Sequence, residues 1–228
     1  QFGLGRNLAL DIPSASAGLL PDPTWKQGAE GLPWFPGDSV NMGIGQGDLL
    51  ATPLQMAVVA ATLANRGRLV RPRMLRGIDT PEQDDLQPLP PPAQIASEQI
   101  TAEDWENMVA SLEDVVHLGN QGFRRNGTAW AYIGQDIDYR MAGKSGTAQV
   151  VEIRQGEEYE EGTLSEFDRK HAWFIAFAPV ENPTIALAVL VENGGGGSSV
   201  AGPVARAVLD AHMQKAKSAA QQEMVLQR

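Results

Sequence analysis

The sequence predicts an α+β protein in which helices flank an antiparallel sheet. Two segments with helical periodicity come first, three strand-like apolar segments follow, and another helical segment closes the chain. The last two strand segments, 172–179 and 184–192, are separated by Val180-Glu181-Asn182-Pro183, which has hairpin length and an Asn-Pro turn signal. Strands grouped in this way favour an antiparallel sheet over a parallel, doubly wound one.

The composition is that of a folded protein without a nucleic-acid partner. Hydrophobic residues make up 43% and charged residues 20% of the 228 residues, which is ordinary for a globular domain. The net charge of −10 argues against a phosphate backbone as partner, because that needs clustered Lys and Arg. There is no cysteine, so disulfides and thiolate metal sites are excluded. The chain opens without Met, and we expect it to be a fragment.

The N-terminal part predicts an irregular loop followed by a helix. Residues 11–40 are rich in Pro and Gly among aromatic residues, which indicates an ordered surface loop. Thr52-Pro53-Leu54-Gln55 combines a capping box with Pro at the first helical position. The helix body should be 57–64, with Gly67 as the left-handed cap.

A second helix and a closing helix are predicted further along. Residues 80–92 hold many prolines and acids, which indicates an exposed excursion. A further strand is predicted at 141–153. Residues 192–197 should be a flexible Gly-rich turn before the closing helix at 198–217, with Pro203 in its first turn.

The second helix should pack on the core and stop near Gly119. Its apolar residues recur at helical spacing: Trp105, Met108, Val109, Leu112, Val115 and Val116.

Lys144-Ser145-Gly146-Thr147 matches the K-T-G pattern of serine acyltransferases that bind penicillin, with Ser in the second position. The structural alternative is a Gly-weakened strand or turn with an exposed Lys. The motif opens a predicted strand and a hairpin follows, so a peptide could be added along this edge, where Gly146 leaves room. Alternation places the Ser145 and Thr147 hydroxyls on one face, able to donate to a carboxylate, and Lys144 on the other.

The segment Asn41-Met42-Gly43-Ile44-Gly45-Gln46-Gly47 could be mistaken for a phosphate loop. No Walker lysine follows and no strand precedes it, so we predict a packed turn or a short bulged strand. Ser39-Val40-Asn41 imitates an S-x-N motif, and we interpret it as a coincidence.

The histidines show no metal-ligand pattern. His117, His171 and His212 are widely spaced, and we expect surface or core histidines and no metal site in this chain.

The segment that begins at Asn41, the motif from Lys144 to Thr147 and the Gly-rich turn at 192–197 resemble the class B penicillin-binding proteins of the elongation type, the penicillin-binding protein 2 family. Three further segments share this resemblance: Phe2-Gly3-Leu4-Gly5, Leu10-Asp11-Ile12-Pro13 and Phe177-Ala178-Pro179. The resemblance covers nearly the whole chain. It implies an incomplete penicillin-binding, serine β-lactamase-like transpeptidase fold. Residues 1–218 would be the C-terminal portion of a DD-transpeptidase domain, and 219–228 a C-terminal tail.

The resemblance also implies a chemistry, in which a serine attacks a D-alanyl-D-alanine stem peptide and an amine resolves the acyl-enzyme. Lys144, Ser145, Gly146 and Thr147 would bind the substrate or a β-lactam, and the Thr147 N–H would assist the oxyanion hole. No Ser here is followed by Lys at the third position, so no catalytic nucleophile is expected in this chain. The serine is expected upstream of Gln1, where some relatives also carry zinc.

Partners and location follow from the resemblance alone. It implies stem peptides, β-lactam antibiotics, a glycan polymerase and scaffold proteins of the elongation machinery as partners. It also implies an inner-membrane protein of a Gram-negative-type bacterium with this domain in the periplasm. The alternatives are a DD-carboxypeptidase or β-lactamase, and a non-catalytic β-lactam-sensing or peptidoglycan-binding module.

Overall fold

A computed structural model describes residues 2–8, 11–74, 100–119, 121–122, 125–150 and 165–226, together with the backbone of 93–94. The predicted excursion at 80–92 lies outside these residues. The helices are α1 (Pro23–Glu30), α2 (Pro36–Gly43), α3 (Pro53–Ala64), α4 (Ala102–His117), α5 (Trp130–Ile133) and α6 (Gly202–Leu226). The strands are β1 (Arg68–Leu69), β2 (Ala93–Gln94), β3 (Ala142–Ala148), β4 (His171–Ala178) and β5 (Ile185–Val191).

Strands β3, β4 and β5 form an antiparallel sheet in that order, which confirms the predicted α+β class and the predicted hairpin. In the described part of the chain, β3 is therefore an edge strand. Its register places Lys144 opposite Ile175 and Thr147 opposite Ala172. The predicted strand 141–153 ends earlier than expected, at Ala148, and residues 151–153 lie outside the described part.

The sheet is the middle of three layers. On one face, Ala142 and Phe177 pack with Leu63 of α3 and Trp105 of α4. On the other face, Phe174 and Ala176 pack against Ala205 and Leu209 of α6. Because neighbouring residues on a strand point to opposite faces, β4 contributes to both clusters. Both faces of the sheet are thus buried at this end, and the layers hold β3 in place.

Residues 11–40 contain two short helices, so the prediction of an irregular loop is wrong for α1 and α2. Pro23 and Pro36 each occupy the first helical position, where the missing N–H costs nothing. The two helices are fastened by the buried Lys26, whose ammonium lies 2.6 Å from an Asp38 carboxylate oxygen. Lys26 also lies over the Phe35 ring, 5.1 Å from its centroid. Two of the five prolines in this segment therefore mark helix starts.

The predicted capping box of α3 is confirmed. Thr52 Oγ1 accepts the Gln55 N–H at 3.1 Å, and Gln55 Oε1 accepts the Thr52 N–H at 2.9 Å. The buried Gln55 also donates to the Ala17 carbonyl at 2.7 Å, which ties the N-terminal segment to the start of α3. Gly67 has φ 88 and donates to the Thr62 carbonyl, as its predicted role in ending the helix requires.

The two remaining helices differ from prediction mainly at their ends. Thr101 caps α4, which stops at His117, close to the predicted Gly119. A π-helical turn, Gly197–Ala201, leads into α6, with Pro203 in the first turn of the α-helix as predicted. Helix α6 continues to Leu226, past the predicted end at 217 and through most of the predicted tail. No helix among the described residues is long and apolar enough to cross a membrane.

Candidate active site

The four motif residues lie on the exposed edge of the sheet. Lys144 is paired with Ile175 and Ser145 with Phe174, so their side chains point to opposite faces as strand alternation predicts. All four residues from Lys144 to Thr147 nevertheless border one cleft. The cleft lies over one face of the sheet, because its lining residues Trp173, Ile175 and Leu190 share that face with Lys144. Ser145 and Thr147 also border it, from the edge strand.

The cleft has a volume of about 570 Å³ and separates the sheet from the segment that follows α2. Its size and its largely apolar walls suit a small organic ligand. The N-terminal wall consists of Ile44, Gly45, Gln46, Gly47, Leu49, Leu50, Ala51 and Met56; the sheet wall consists of residues 144–149 with His171, Trp173, Ile175 and Leu190.

Gln46 bridges the two walls. Its Nε2 donates a hydrogen bond of 3.0 Å to the carbonyl oxygen of Thr147, 101 residues further along the chain. The turn that presents it is flanked by Gly45 with φ 74 and Gly47 with φ 75, a backbone conformation that favours glycine. Residues 41–43 form the end of α2, so the predicted turn is confirmed only for 44–47, where it is largely exposed, and the alternative of a bulged strand is wrong. The contact between Gln46 and Thr147 was not predicted, because the two residues are far apart in the sequence.

The N-terminal wall is held by local contacts. The Gln46 N–H donates to the Asn41 carbonyl at 2.9 Å, at the end of α2. Leu50 pairs with Leu19 in an isolated antiparallel bridge, with N···O distances of 2.8 and 2.9 Å. Ser39 lies within α2, where its hydroxyl accepts a hydrogen bond from Trp34 Nε1 at 2.8 Å. The Ser39-Val40-Asn41 sequence therefore serves α2 and its turn.

Lys144 is the cation of the sheet wall. Its side chain is exposed, and its ammonium donates to the carbonyl oxygen of the adjacent Ser145 at 2.8 Å. The charge consequently stays beside the strand edge and is open to solvent.

His171 was expected to be an unremarkable histidine, but it lines the cleft. Its Nδ1 accepts the backbone N–H of Asn193 at 2.9 Å. The neutral ring must therefore carry its proton on Nε2. The cleft thereby gains an oriented imidazole, which the sequence could not indicate because His171 and Asn193 meet only after β4 and β5 have paired.

Asn193 also anchors the turn after β5, and the predicted turn is present at residues 192 and 193. Its side-chain Nδ2 donates to the carbonyls of Phe167 at 2.8 Å and Arg169 at 3.0 Å. Its φ of 54 lies in the left-handed region, which asparagine tolerates better than most residues. The turn thus joins the end of the sheet to the segment that leads into β4.

Metal ligands were not expected, and in the described part of the chain no group of three or more His, Asp or Glu side chains is placed to hold a metal ion. His117 and His212 have other contacts: His117 Nε2 accepts the Met141 N–H at 3.1 Å, and His212 Nε2 lies 3.1 Å from the Thr184 hydroxyl. Burial lowers the pKa of His117, which favours its neutral ring. The described residues therefore offer no set of ligands for a zinc ion.

Known proteins show the same arrangement of sequence and fold. Residues 1–210 match the model of the penicillin-binding protein transpeptidase domain. The peptidoglycan D,D-transpeptidase MrdA of Haemophilus influenzae is 37% identical over 94% of this chain, which covers 32% of that protein. The chain thus spans about a third of the length of the curated relatives it matches.

Solved structures agree with the sequence match. A crystal structure of Pseudomonas aeruginosa PBP2 in complex with WCK 5153 matches with a TM-score of 0.74 and 38% identity, covering 92% of this chain and 41% of that one. A complex between PBP2 and MreC of Helicobacter pylori matches with a TM-score of 0.67 and 29% identity, covering 87% and 31%. The predicted resemblance to the penicillin-binding protein 2 members is confirmed, and the chain belongs to the penicillin-binding protein transpeptidase domain family.

Proposed function

We propose that this chain forms the substrate-binding wall of a peptidoglycan DD-transpeptidase. The observation that carries the proposal is the position of Lys144, Ser145, Gly146 and Thr147 on an exposed strand edge beside a cleft of about 570 Å³. Family membership supplies the reaction type, and the cleft supplies a place for an extended peptide with a terminal carboxylate.

The geometry suits an acyl-donor stem peptide laid along β3. An extended peptide can add to a free strand edge through main-chain hydrogen bonds, and Gly146 presents no side chain to obstruct it. The terminal carboxylate would lie near the Lys144 ammonium and the hydroxyls of Ser145 and Thr147, since charge-assisted hydrogen bonds are the stronger ones. The Thr147 N–H would donate to the oxyanion that forms on the carbonyl under attack.

The nucleophile in this proposal lies outside residues 1–228. No serine of the chain is followed by lysine at the third position. A serine hydroxyl attacks the penultimate D-alanine carbonyl, its proton passes to a base, and the C–N bond to the terminal D-alanine breaks with protonation of the leaving amine. The amine of a second stem peptide then attacks the ester, restores the serine and forms the cross-link. The described cleft contributes binding and oxyanion stabilisation to both steps.

Substrates, partners and location complete the proposal. The substrates are stem peptides ending in D-alanyl-D-alanine, and β-lactams would acylate the same serine. A scaffold protein of the kind bound by the Helicobacter pylori relative, together with a glycan polymerase, would recruit the enzyme to sites of cell elongation. The protein would be anchored in the inner membrane with this domain in the periplasm.

The test uses labelled benzylpenicillin on the full-length protein and on residues 1–228 alone. We expect covalent label on the full-length protein, with peptide mapping placing it on a serine outside residues 1–228, and no label on the shorter chain. Stoichiometric label on a serine within residues 1–228 would overturn the assignment. D-alanine release should also require an added amine acceptor. Release of D-alanine with water alone would favour a carboxypeptidase. Labelling by benzylpenicillin without any release of D-alanine would favour a sensing module.

A further inference from the structure

The Gln46 side chain donates a hydrogen bond to a backbone carbonyl on the free edge of β3. Its Nε2 lies 3.0 Å from the Thr147 carbonyl oxygen, on the strand that pairs with β4 on its other side. An unpaired carbonyl on a strand edge is the group that an added peptide would use through its own N–H. The carboxamide N–H of Gln46 is chemically the same kind of donor. A side chain of the protein thus stands where a ligand amide would bind.

This contact is suited to exchange. The hydrogen bond is exposed to solvent and Gln46 is only half-buried, so its side chain can leave without opening the core. Open space lies beside it, because Gln46 borders the cleft of about 570 Å³. The backbone, by contrast, is held by the Gln46 N–H to Asn41 and the Gly45 N–H to Met42. The side chain can therefore move while the turn stays in place.

We infer that Gln46 is a specificity-determining residue. Its carboxamide donates a hydrogen bond to the Thr147 carbonyl in the free protein, and the N–H of a ligand's acylamino group or peptide bond displaces it. The inference rests on the proposed function, since it concerns the ligands of that site. A ligand with an N–H at this position replaces one hydrogen bond by another. A ligand without it leaves Gln46 bound, because displacement would strand the carbonyl without a donor.

The experiment measures acylation of the full-length protein by two penams that differ only at the acylamino group. Benzylpenicillin carries the N–H, and penicillanic acid lacks the whole substituent. In Gln46→Ala the competition is removed, and we expect the second-order acylation rate constant of benzylpenicillin to rise about fivefold, the effect of one ordinary hydrogen bond. The rate constant of penicillanic acid should not rise. Gln46→Asn, whose amide is one methylene too short to reach, should behave in the same way.

Gln27→Ala is the matched control, because Gln27 is an exposed glutamine on α1 and its replacement should change neither rate constant. Melting temperatures of all variants check folding, and Gln46→Asn serves if Gln46→Ala is unstable. Three results would overturn the inference: both ligands slowed alike, both accelerated alike, or neither affected. Failure of benzylpenicillin to acylate the unmodified protein would instead remove the proposed function, and the inference with it. If benzylpenicillin acylates the unmodified protein and the rate constants of the Gln46 variants do not differ from it, the inference is wrong and the proposed function is unaffected.

Discussion

Gly197 packs directly against the backbone of Gly146, so closely that a Cβ at position 197 would lie 2.4 Å from the Gly146 carbonyl oxygen and 2.5 Å from that of Trp173. The start of the π-helical turn is thus in contact with β3 and with its partner strand β4. Only glycine allows this approach, because backbone atoms on both strands leave no space for a methyl group.

Gly197→Ala should therefore destabilise the protein and displace β3. We expect a loss of about 1–3 kcal/mol, typical of forced overpacking, measured by chemical denaturation, and slower acylation by β-lactam. Gly28→Ala is the control, since a Cβ at that helical position in α1 meets nothing within 4 Å and should be neutral or slightly stabilising. Equal stability of the two variants would show that the close approach is unimportant.

Lys144→Ala should slow acylation by benzylpenicillin, because the ammonium beside the strand edge is the charge that would meet the ligand carboxylate. A lost hydrogen bond to a charged group corresponds to a rate reduction of about tenfold or more. The measurement is the acylation rate constant of the full-length protein. Lys215→Ala, an exposed lysine on α6, should leave that rate unchanged. An unaltered rate in Lys144→Ala would remove Lys144 from the binding site.

Asn193→Gly should lower stability by about 1–2 kcal/mol, because it removes two side-chain hydrogen bonds, to Phe167 and Arg169, while keeping a residue that accepts positive φ. Asn193→Ala should lose about 1 kcal/mol more, since alanine is strained in the left-handed region. Urea denaturation of both variants measures the order. If Asn193→Gly is as stable as the parent, the side-chain anchor contributes nothing.

Stability should fall as the pH decreases below about 6.5, and His117 should contribute to the fall. Burial holds the pKa of His117 below its ordinary value, and its Nε2 accepts the Met141 N–H only when unprotonated. Between the folded pKa and about 6.5 the unfolded chain binds more protons, so lowering the pH through this window favours unfolding. The stabilisation present at neutral pH is lost below the folded pKa.

The measurement is the melting temperature at pH 7.5 and at pH 5.5. His117→Gln cannot titrate in this range, and its side-chain oxygen can still accept the Met141 N–H. We expect the melting temperature to fall less with pH in this variant than in the parent. The difference should correspond to less than about 1 kcal/mol, because the ring is only part-buried and solvent screens its charge. Identical pH profiles would exclude His117 as a contributor.

Local sequence signals were enough for the elements that depend on local contacts. The capping box of Thr52 and Gln55 predicts the start of α3, and the Asn-Pro hairpin predicts the pairing of β4 with β5. Proline led to a wrong prediction, because this residue both begins helices and interrupts regular structure. Prolines that begin α1 and α2 resemble prolines that break structure, and the carboxylates of Asp22 and Asp38, which accept backbone N–H groups at the two helix starts, distinguish the two cases.

The sequence by itself determined the family, the α+β class and the strand that carries Lys144 to Thr147, because these depend on residue order and strand periodicity. The tertiary structure alone decided which distant groups meet at that strand. Gln46 reaches Thr147, and Asn193 orients His171, across separations along the chain that carry no local signal. The edge position of β3 was likewise set by the order in which the strands pair, and Lys144 and Thr147 on this strand both border the cleft.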